Sequence, residues 1–183
     1  MVNMSLTLEQ SREIIQAIRP LAKALGIRKF IKLDKPERVG NFWGLAGEYR
    51  PRGYWFPKSI KEKQPKKLAP PTIAYCPPVT YKWTFAHEIG HRLYDLVSNS
   101  RRRDEIQPLL SNEERIAIKY GYFNSHGFEE RFASQFASYV TNPSKLQVDD
   151  PEAYNTIERI LSGMPHIRQP LTEARSRLVT LSY

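Results

Sequence analysis

The stretch TFAHEIGHRLYD, residues 84–95, decides which fold and site this sequence predicts. It holds two of the four histidines of the chain, His87 and His91, with Glu88 between them. In an α-helix, positions i and i+4 lie on one face, so both imidazoles can point at a single ion. Glu88 is rotated by about 100° from His87, which suits a base acting on a metal-bound water better than a third ligand. The spacing therefore predicts a helix with two metal ligands and a general base.

The apolar residues of the same stretch predict how this helix packs. Phe85, Ile89 and Leu93 recur at helical spacing and are expected to form a buried stripe. Gly90 removes a side chain at a place where another element can approach closely. The H-E-x-x-H pattern is short and also occurs by chance on polar surface helices. Its apolar setting here favours a functional helix.

A catalytic zinc ion requires three protein ligands and an open position for water, so a third ligand is expected downstream. The candidates are His126, Glu129, Glu130 and His166. His166 lies beside a proline in an expected turn and is ranked last.

A second helix is predicted over residues 127–141, where four aromatic residues form a helical stripe: Phe128, Phe132, Phe136 and Tyr139. Glu130 lies three residues before Ala133, a small residue that allows close packing against the motif helix. Glu129 is rotated by about 100° from Glu130 and is expected to face solvent or to contact a ligand from behind. Packing thus favours Glu130 as the third ligand.

The rest of the chain predicts an α+β fold, with a small twisted N-terminal sheet and a helix followed by a mostly helical half. A first helix is expected over 7–25, with a capping box at its start and Gly26 at its end. Aromatic and β-branched segments predict three strands, at 27–33, 43–49 and 72–76. Further helices are expected at 81–98, at 111–121 and at 150–163; the segment after Pro170 is ambiguous.

Composition sets wider limits. The 183 residues fit one domain, 1–183, with a basic part at 1–70 and a catalytic core at about 72–163. The net charge of +9 falls entirely in residues 1–70, which suits a solubilising face or an attraction to nucleic acid, although no nucleic-acid-binding motif accompanies it. One cysteine, no signal-like start and no long apolar run predict a cytoplasmic monomer away from the membrane, with export by a non-standard route still open.

Two segments together resemble a known family. HEIGHRLYD combined with FEERFASQFASYVTNPSKL and DPEAYNTIERIL is similar to the compact gluzincin metallopeptidases, which include the anthrax lethal factor catalytic domain and the Pro-Pro endopeptidases. The likeness covers about residues 72–161 and extends to the ImmA/IrrE-like metallopeptidases. It implies a zincin-like fold, one catalytic Zn²⁺ and hydrolysis of peptide bonds in a protein or peptide substrate.

Carried over by motif, the family's zinc ligands fall on His87, His91 and Glu130, and its general base on Glu88. The family's second acidic residue on the third-ligand helix falls on Ser134, so Asp95 or Glu129 is the candidate replacement. Its transition-state tyrosine falls at or beside Phe123, which makes Tyr122 the nearest phenol and Tyr120 the next. The family also binds extended substrate along an edge strand, a role that the resemblance gives to residues 72–76.

Two other functions fit parts of the sequence. One is a nucleic-acid-associated metallopeptidase of the SprT-like kind, with a histidine, here His126, as third ligand. The other is a non-enzymatic module in which the motif helix is structural and residues 1–70 bind DNA or RNA.

Overall fold

The computed structural model describes residues 7–32, 38–39, 42–43, 47–50, 71–76, 81–98 and 125–181. Its strands are β1 (Lys29–Lys32), β2 (Arg38–Val39), β3 (Phe42–Trp43), β4 (Gly47–Arg50) and β5 (Thr72–Tyr75). Its helices are α1 (Leu8–Ala24), α2 (Lys82–Ser98), α3 (Ser125–Thr141), α4 (Pro143–Asp149), α5 (Pro151–Ser162) and α6 (Pro165–Thr180). A small sheet near the N-terminus followed by helices is an α+β fold, as the sequence predicts. The helix predicted at 111–121 lies outside the described residues.

Helix α1 begins and ends as its sequence predicts. The Thr7 side chain accepts from the backbone N–H of Gln10, and the Gln10 side chain accepts from the N–H of Thr7, which completes a capping box. At the other end, Gly26 has a φ of 81°. The N–H of Gly26 bonds to the carbonyl of Lys23, and that of Ile27 to the carbonyl of Ala22, which is a Schellman motif.

The main sheet has three strands in the order β1-β5-β4. β5 pairs in parallel with β1 and antiparallel with β4, so it is the central strand. The expectation that residues 72–76 form an edge strand is therefore wrong. The single strand expected at 43–49 is also wrong, because β3 pairs with β2 in a separate ladder and β4 joins the main sheet.

Helix α2 packs between the sheet and α3. Phe85 is fully buried, with its ring centroid 5.4 Å from that of Tyr75 on β5 and 6.2 Å from that of Phe30 on β1. Phe85, Ile89 and Leu93 form the predicted buried stripe. On its other side α2 lies against α3, and α1 packs against α6. The sheet and all six of these helices thereby contribute to one hydrophobic core.

The C-terminal helices follow local signals. Asp150 caps α5 by accepting from the N–H of Ala153 at 3.0 Å, Pro151 is the first helical residue and Gly163 ends the helix. Helix α6 begins at Pro165, has Pro170 inside it, and includes most of the segment after Pro170 that the sequence left ambiguous. α1 likewise continues past Pro20. Among the described helices, none combines the length and apolarity needed to cross a bilayer.

Candidate metal centre

Helix α2 presents the two motif histidines on its face toward α3. His87 and His91 lie one helical turn apart, with ring centroids 4.8 Å from each other and ring planes at 82°. The buried stripe of α2 lies on a different side and fixes the rotation of the helix. The sequence therefore directs both imidazoles to one place, as the i, i+4 spacing predicts.

Helix α3 approaches α2 closely at Gly90. A Cβ built on Gly90 would lie 2.7 Å from the Cα of Ala133 and 2.9 Å from its carbonyl oxygen. No real side chain fits such a gap, so glycine at this position and a small residue opposite it set the distance between the helices. This confirms the close packing predicted from Gly90 and Ala133.

The close crossing brings Glu130 to the histidines. The His87 Nε2 atom lies 3.1 Å from Glu130 Oε2 and 3.1 Å from His91 Nε2. His91 Nε2 lies 3.4 Å from Glu130 Oε1. One ligand atom from each of these three residues can be chosen so that all lie within 4.8 Å of one another. Among the described residues, His87, His91 and Glu130 therefore form a group that could hold a metal ion.

Hydrogen bonds on the outer side of each ring fix the tautomers. Ser134 Oγ donates to the carbonyl of Glu130 at 2.8 Å, so at 3.3 Å from His87 it can only accept, from Nδ1–H. His91 Nδ1 lies 2.9 Å from Glu129 Oε1, a carboxylate oxygen that likewise accepts. With both protons on Nδ1, both neutral rings turn an Nε2 lone pair toward Glu130.

With both protons on Nδ1, this arrangement would stabilise a positive charge at its centre. Two Nε2 lone pairs facing each other at 3.1 Å beside a carboxylate repel unless a cation or a proton lies among them. Zinc binds imidazole nitrogen at about 2.0–2.1 Å, so two ligand atoms of a tetrahedral ion are about 3.3 Å apart. The two Nε2 atoms are 3.1 Å apart, and they lie 3.1 and 3.4 Å from the two different carboxylate oxygens of Glu130, which is close to that spacing. The residues present thus fit a small tetrahedral cation.

Electrostatics around His91 support the same conclusion. Burial by itself would lower the pKa of His91, but the hydrogen bond that its Nδ1–H donates to Glu129 and the nearby carboxylates of Glu88, Glu130 and Glu129 outweigh it, so this pKa is raised. Without a metal ion, the site therefore attracts a proton in the place where a cation would bind.

The centre is buried on one side and open on the other. The His87 and His91 side chains are only 12% and 10% exposed, whereas that of Glu130 is 44% exposed. An ion held by the three residues would therefore have an open position, as catalytic sites require. Glu88 is buried, next to the ligand His87 in sequence, and close enough to His91 to act on its pKa.

The other predicted site residues lie elsewhere or cannot be placed. Tyr122 and Tyr120 lie outside the described residues, and so does the side chain of His126. His166 is exposed on α6 and is not part of the cluster. Asp95 accepts a hydrogen bond from Arg92 at 2.7 Å, and the ligand histidines are held by Glu129 and Ser134.

Sequence reasoning missed two contacts of His87. Ser134 was expected only as the place of a missing carboxylate, although its position four residues after Glu130 puts it on the same helix face. Trp83, four residues before His87, stacks on its ring with centroids 5.0 Å apart and planes at 27°. Trp83 is four residues from His87 and Ser134 is four residues from Glu130, so i, i+4 spacing was the signal that could have identified both contacts.

Comparison of the chain with protein-family models, with curated proteins and with solved structures finds no match.

Proposed function

We propose that this protein is a zinc-dependent metallopeptidase of the gluzincin type. The observation that carries the proposal is the convergence of three lone-pair donors: His87 Nε2, His91 Nε2 and the Glu130 carboxylate. Their separations are close to those between the ligand atoms of a tetrahedral zinc ion. Two imidazoles and one carboxylate leave a fourth position for water, the pattern typical of catalytic rather than structural zinc.

The residues of the centre have separate tasks in this proposal. His87, His91 and Glu130 would hold Zn²⁺, which lowers the pKa of a bound water and polarises a carbonyl group. Ser134 and Glu129 keep the protons of the two imidazoles on Nδ1 and so leave both Nε2 atoms to the metal.

Glu88 would act as the general base. It lies on the same helix as the two histidines, beside His87 in sequence, and is buried near His91. A carboxylate in that place can take a proton from the attacking water and return it to the leaving amine. Tyr122 is the proposed donor to the oxyanion, on the strength of the family resemblance alone.

The position of Glu130 favours the gluzincin type over the SprT-like alternative. SprT-like enzymes use a histidine as third ligand, for which His126 is the candidate. Here Glu130 contacts both motif histidines, and the Gly90–Ala133 crossing holds its helix against α2. The basic N-terminal part adds no observation in favour of a nucleic-acid module beyond its charge.

Glu88→Gln tests the proposal most specifically. This variant should retain zinc and lose cleavage of a peptide library by at least about a hundredfold, because the base is removed and the three ligands are not. Glu152→Gln, an exposed carboxylate on α5, is the matched control and should cleave as the wild type does. Full activity in zinc-loaded Glu88→Gln would show that Glu88 is not the base.

The rival functions give different results. Zinc lost in His126→Ala and retained in Glu130→Ala would favour the SprT-like arrangement. Protein that takes up no zinc and binds nucleic acid with a strong salt dependence would contradict both enzymatic proposals.

A further inference from the structure

A cleft of about 320 Å³ lies one helical turn from the metal centre, where the start of α2 faces the end of α3 and the short helix α4. Its volume is at the lower end of the range for ligand pockets and suits one large side chain. Six of the residues that line it are Trp83, Ser138, Thr141, Asn142, Lys145 and Leu146.

The cleft continues the row of residues that forms the metal centre. On α2, Trp83 precedes His87 by four residues, and its indole stacks on the imidazole at 5.0 Å. On α3, Ser138 follows Ser134 by four residues and donates to its carbonyl at 3.1 Å. Because positions four apart share a helix face, one row on each helix leads from the centre to the cleft. A peptide that ran along this row from the metal would bring a neighbouring side chain to Trp83.

The polar side chains of the cleft already have partners within the protein. The Thr141 hydroxyl donates to the carbonyl of Ala137 at 2.8 Å, and Asn142 Oδ1 accepts from the N–H of Lys145 at 3.3 Å. The Lys145 ammonium group pairs with the carboxylate of Asp149. A polar guest would have to compete with these bonds, whereas an apolar guest leaves them intact.

The remaining lining is apolar and partly open. Trp83 is 42% exposed, an unusual amount for so large an apolar side chain, while Leu146 below it is buried. Burying a large apolar side chain between Trp83 and Leu146 would be favourable, because it removes apolar surface of both partners from water. A small or charged side chain would gain little there.

We propose that this cleft is the subsite for the substrate residue adjoining the scissile bond, that it takes a large apolar side chain with aromatic ones preferred, and that Trp83 determines this specificity. The inference rests on the proposed peptidase function, since it assumes that a peptide is bound at the centre.

Two measurements on the full-length protein test the subsite. In the first, N-acetyl-L-phenylalanine amide and N-acetylglycine amide are titrated into zinc-loaded protein, and the tryptophan indole N–H signals are followed by NMR. Comparison with Trp83→Phe assigns the Trp83 signal. The phenylalanine amide should shift that signal and bind at least about tenfold more tightly than the glycine amide, and Trp83→Ala should reduce the difference to about twofold.

In the second measurement, a peptide library is cleaved by the wild type, Trp83→Ala, Trp83→Phe and Tyr81→Ala. Tyr81 is a similarly exposed aromatic residue that does not line the cleft, so its variant should keep the wild-type profile. Trp83→Ala should lose the preference for large apolar residues beside the cleaved bond, and Trp83→Phe should restore most of it. If Trp83 only supports His87, its loss would lower zinc content and all cleavage rates together, without changing the profile.

The outcomes separate this inference from the proposed function. Selective binding of the phenylalanine amide without any proteolysis would support the cleft and contradict the peptidase. Proteolysis with no preference for large apolar residues would contradict the subsite and support the peptidase. Equal binding of both amides to the wild type would overturn the subsite directly.

Discussion

At the scale of single residues, His87 and His91 are held by chemically different partners. His91 donates to the carboxylate of Glu129, whereas His87 donates to the hydroxyl of Ser134. A carboxylate orients the ring and also makes its Nε2 atom a stronger donor to a metal, whereas a hydroxyl mainly orients it. The two histidines should therefore differ in how much their outer partner contributes to metal affinity.

We expect Glu129→Gln and Ser134→Ala each to weaken zinc binding by about 10–100-fold, with Glu129→Gln nearer the upper end. Competition with a chelating zinc indicator measures the affinity. Ser162→Ala is the matched control, because the Ser162 hydroxyl also donates to a helix carbonyl, at 2.7 Å, but lies on α5. If both substitutions leave the zinc affinity at the wild-type value, the hydrogen bonds to Glu129 and Ser134 do not set the tautomers of the two histidines.

The raised pKa of His91 predicts opposite effects of pH on the metal-free and the zinc-bound protein. In the metal-free protein, protonated His91 adds to the free energy of unfolding. This contribution is complete at pH values below the pKa of histidine in the unfolded chain, about 6.5, and it is lost as the pH rises through the raised pKa of His91 in the folded protein. Zinc requires the neutral ring, so its affinity should rise over the same interval. An NMR titration of the His91 ring in metal-free protein should give a pKa above about 6.5, and Glu129→Gln should lower it; a value at or below the ordinary one would contradict the account.

At the scale of helices, the site depends on how closely α2 and α3 cross. His87 and His91 on α2 meet Glu130 on α3 because Gly90 has no side chain and so admits the backbone of Ala133. A Cβ at Gly90 would lie only 2.7 Å from the Cα of Ala133. A small outward shift of α3 would separate Glu130 from both histidines. Zinc affinity should therefore respond to a change that touches no ligand.

Gly90→Ala should destabilise the metal-free protein by about 1–3 kcal/mol, because the added methyl group overlaps backbone rather than a mobile side chain. It should also weaken zinc binding by at least about tenfold. Urea unfolding and the indicator assay measure the two effects. Gly163→Ala is the matched control: Gly163 ends α5 with a φ of −84°, which alanine adopts easily, so stability should change by less than about 0.5 kcal/mol.

The elements that sequence predicted well are those with strong local signals. Capping residues defined the ends of α1 and α5, and apolar spacing identified α2 and α3. The order of strands in the sheet was not predictable in this way, because pairing of β5 with both β1 and β4 joins segments distant in the chain. The continuation of α1 past Pro20 and of α6 past Pro170 also depends on packing against other helices rather than on propensity.

The candidate site also has features that local sequence signals predict and features that depend on packing between helices. The shared helix face of His87 and His91 follows from spacing within α2, and the position of Glu130 beside them follows from the small residue Ala133 near it. The hydrogen bonds that the two imidazoles donate to Ser134 and Glu129 depend on the rotation of α3 against α2, which a single sequence specifies only through the packing of both helices.

At the scale of the whole molecule, a cluster of polar contacts around the buried Tyr139 joins α3 to the C-terminal helices. The Tyr139 hydroxyl donates to Glu158 on α5, and Arg175 on α6 donates to the Tyr139 carbonyl at 2.6 Å. The Arg175 guanidinium group also lies 4.0 Å from the centre of the Tyr139 ring. Tyr139 is nine residues from Glu130, about 180° round the helix, so this cluster supports α3 from the side opposite the metal centre.

Tyr139→Phe should lower the free energy of unfolding by about 1–2 kcal/mol through loss of the hydrogen bond to Glu158. Zinc affinity should stay within about twofold of the wild type, because the ring still fills the core and α3 keeps its place. Tyr154→Phe is the control, because it removes the hydroxyl of a neighbouring tyrosine whose ring centroid lies 5.3 Å from that of Tyr139. A large loss of zinc affinity in Tyr139→Phe would contradict this, because it would show that the contacts around Tyr139 also determine the geometry of the candidate metal centre.

The zinc content of purified protein, measured by mass spectrometry for the wild type and three variants, tests the central claim most directly. We predict one zinc ion per chain in the wild type and in the exposed-carboxylate control Glu152→Gln, and almost none in His87→Ala or Glu130→Ala, since each loses one of three converging ligands. Wild-type protein without zinc, or Glu130→Ala that retains a full equivalent, would contradict the account.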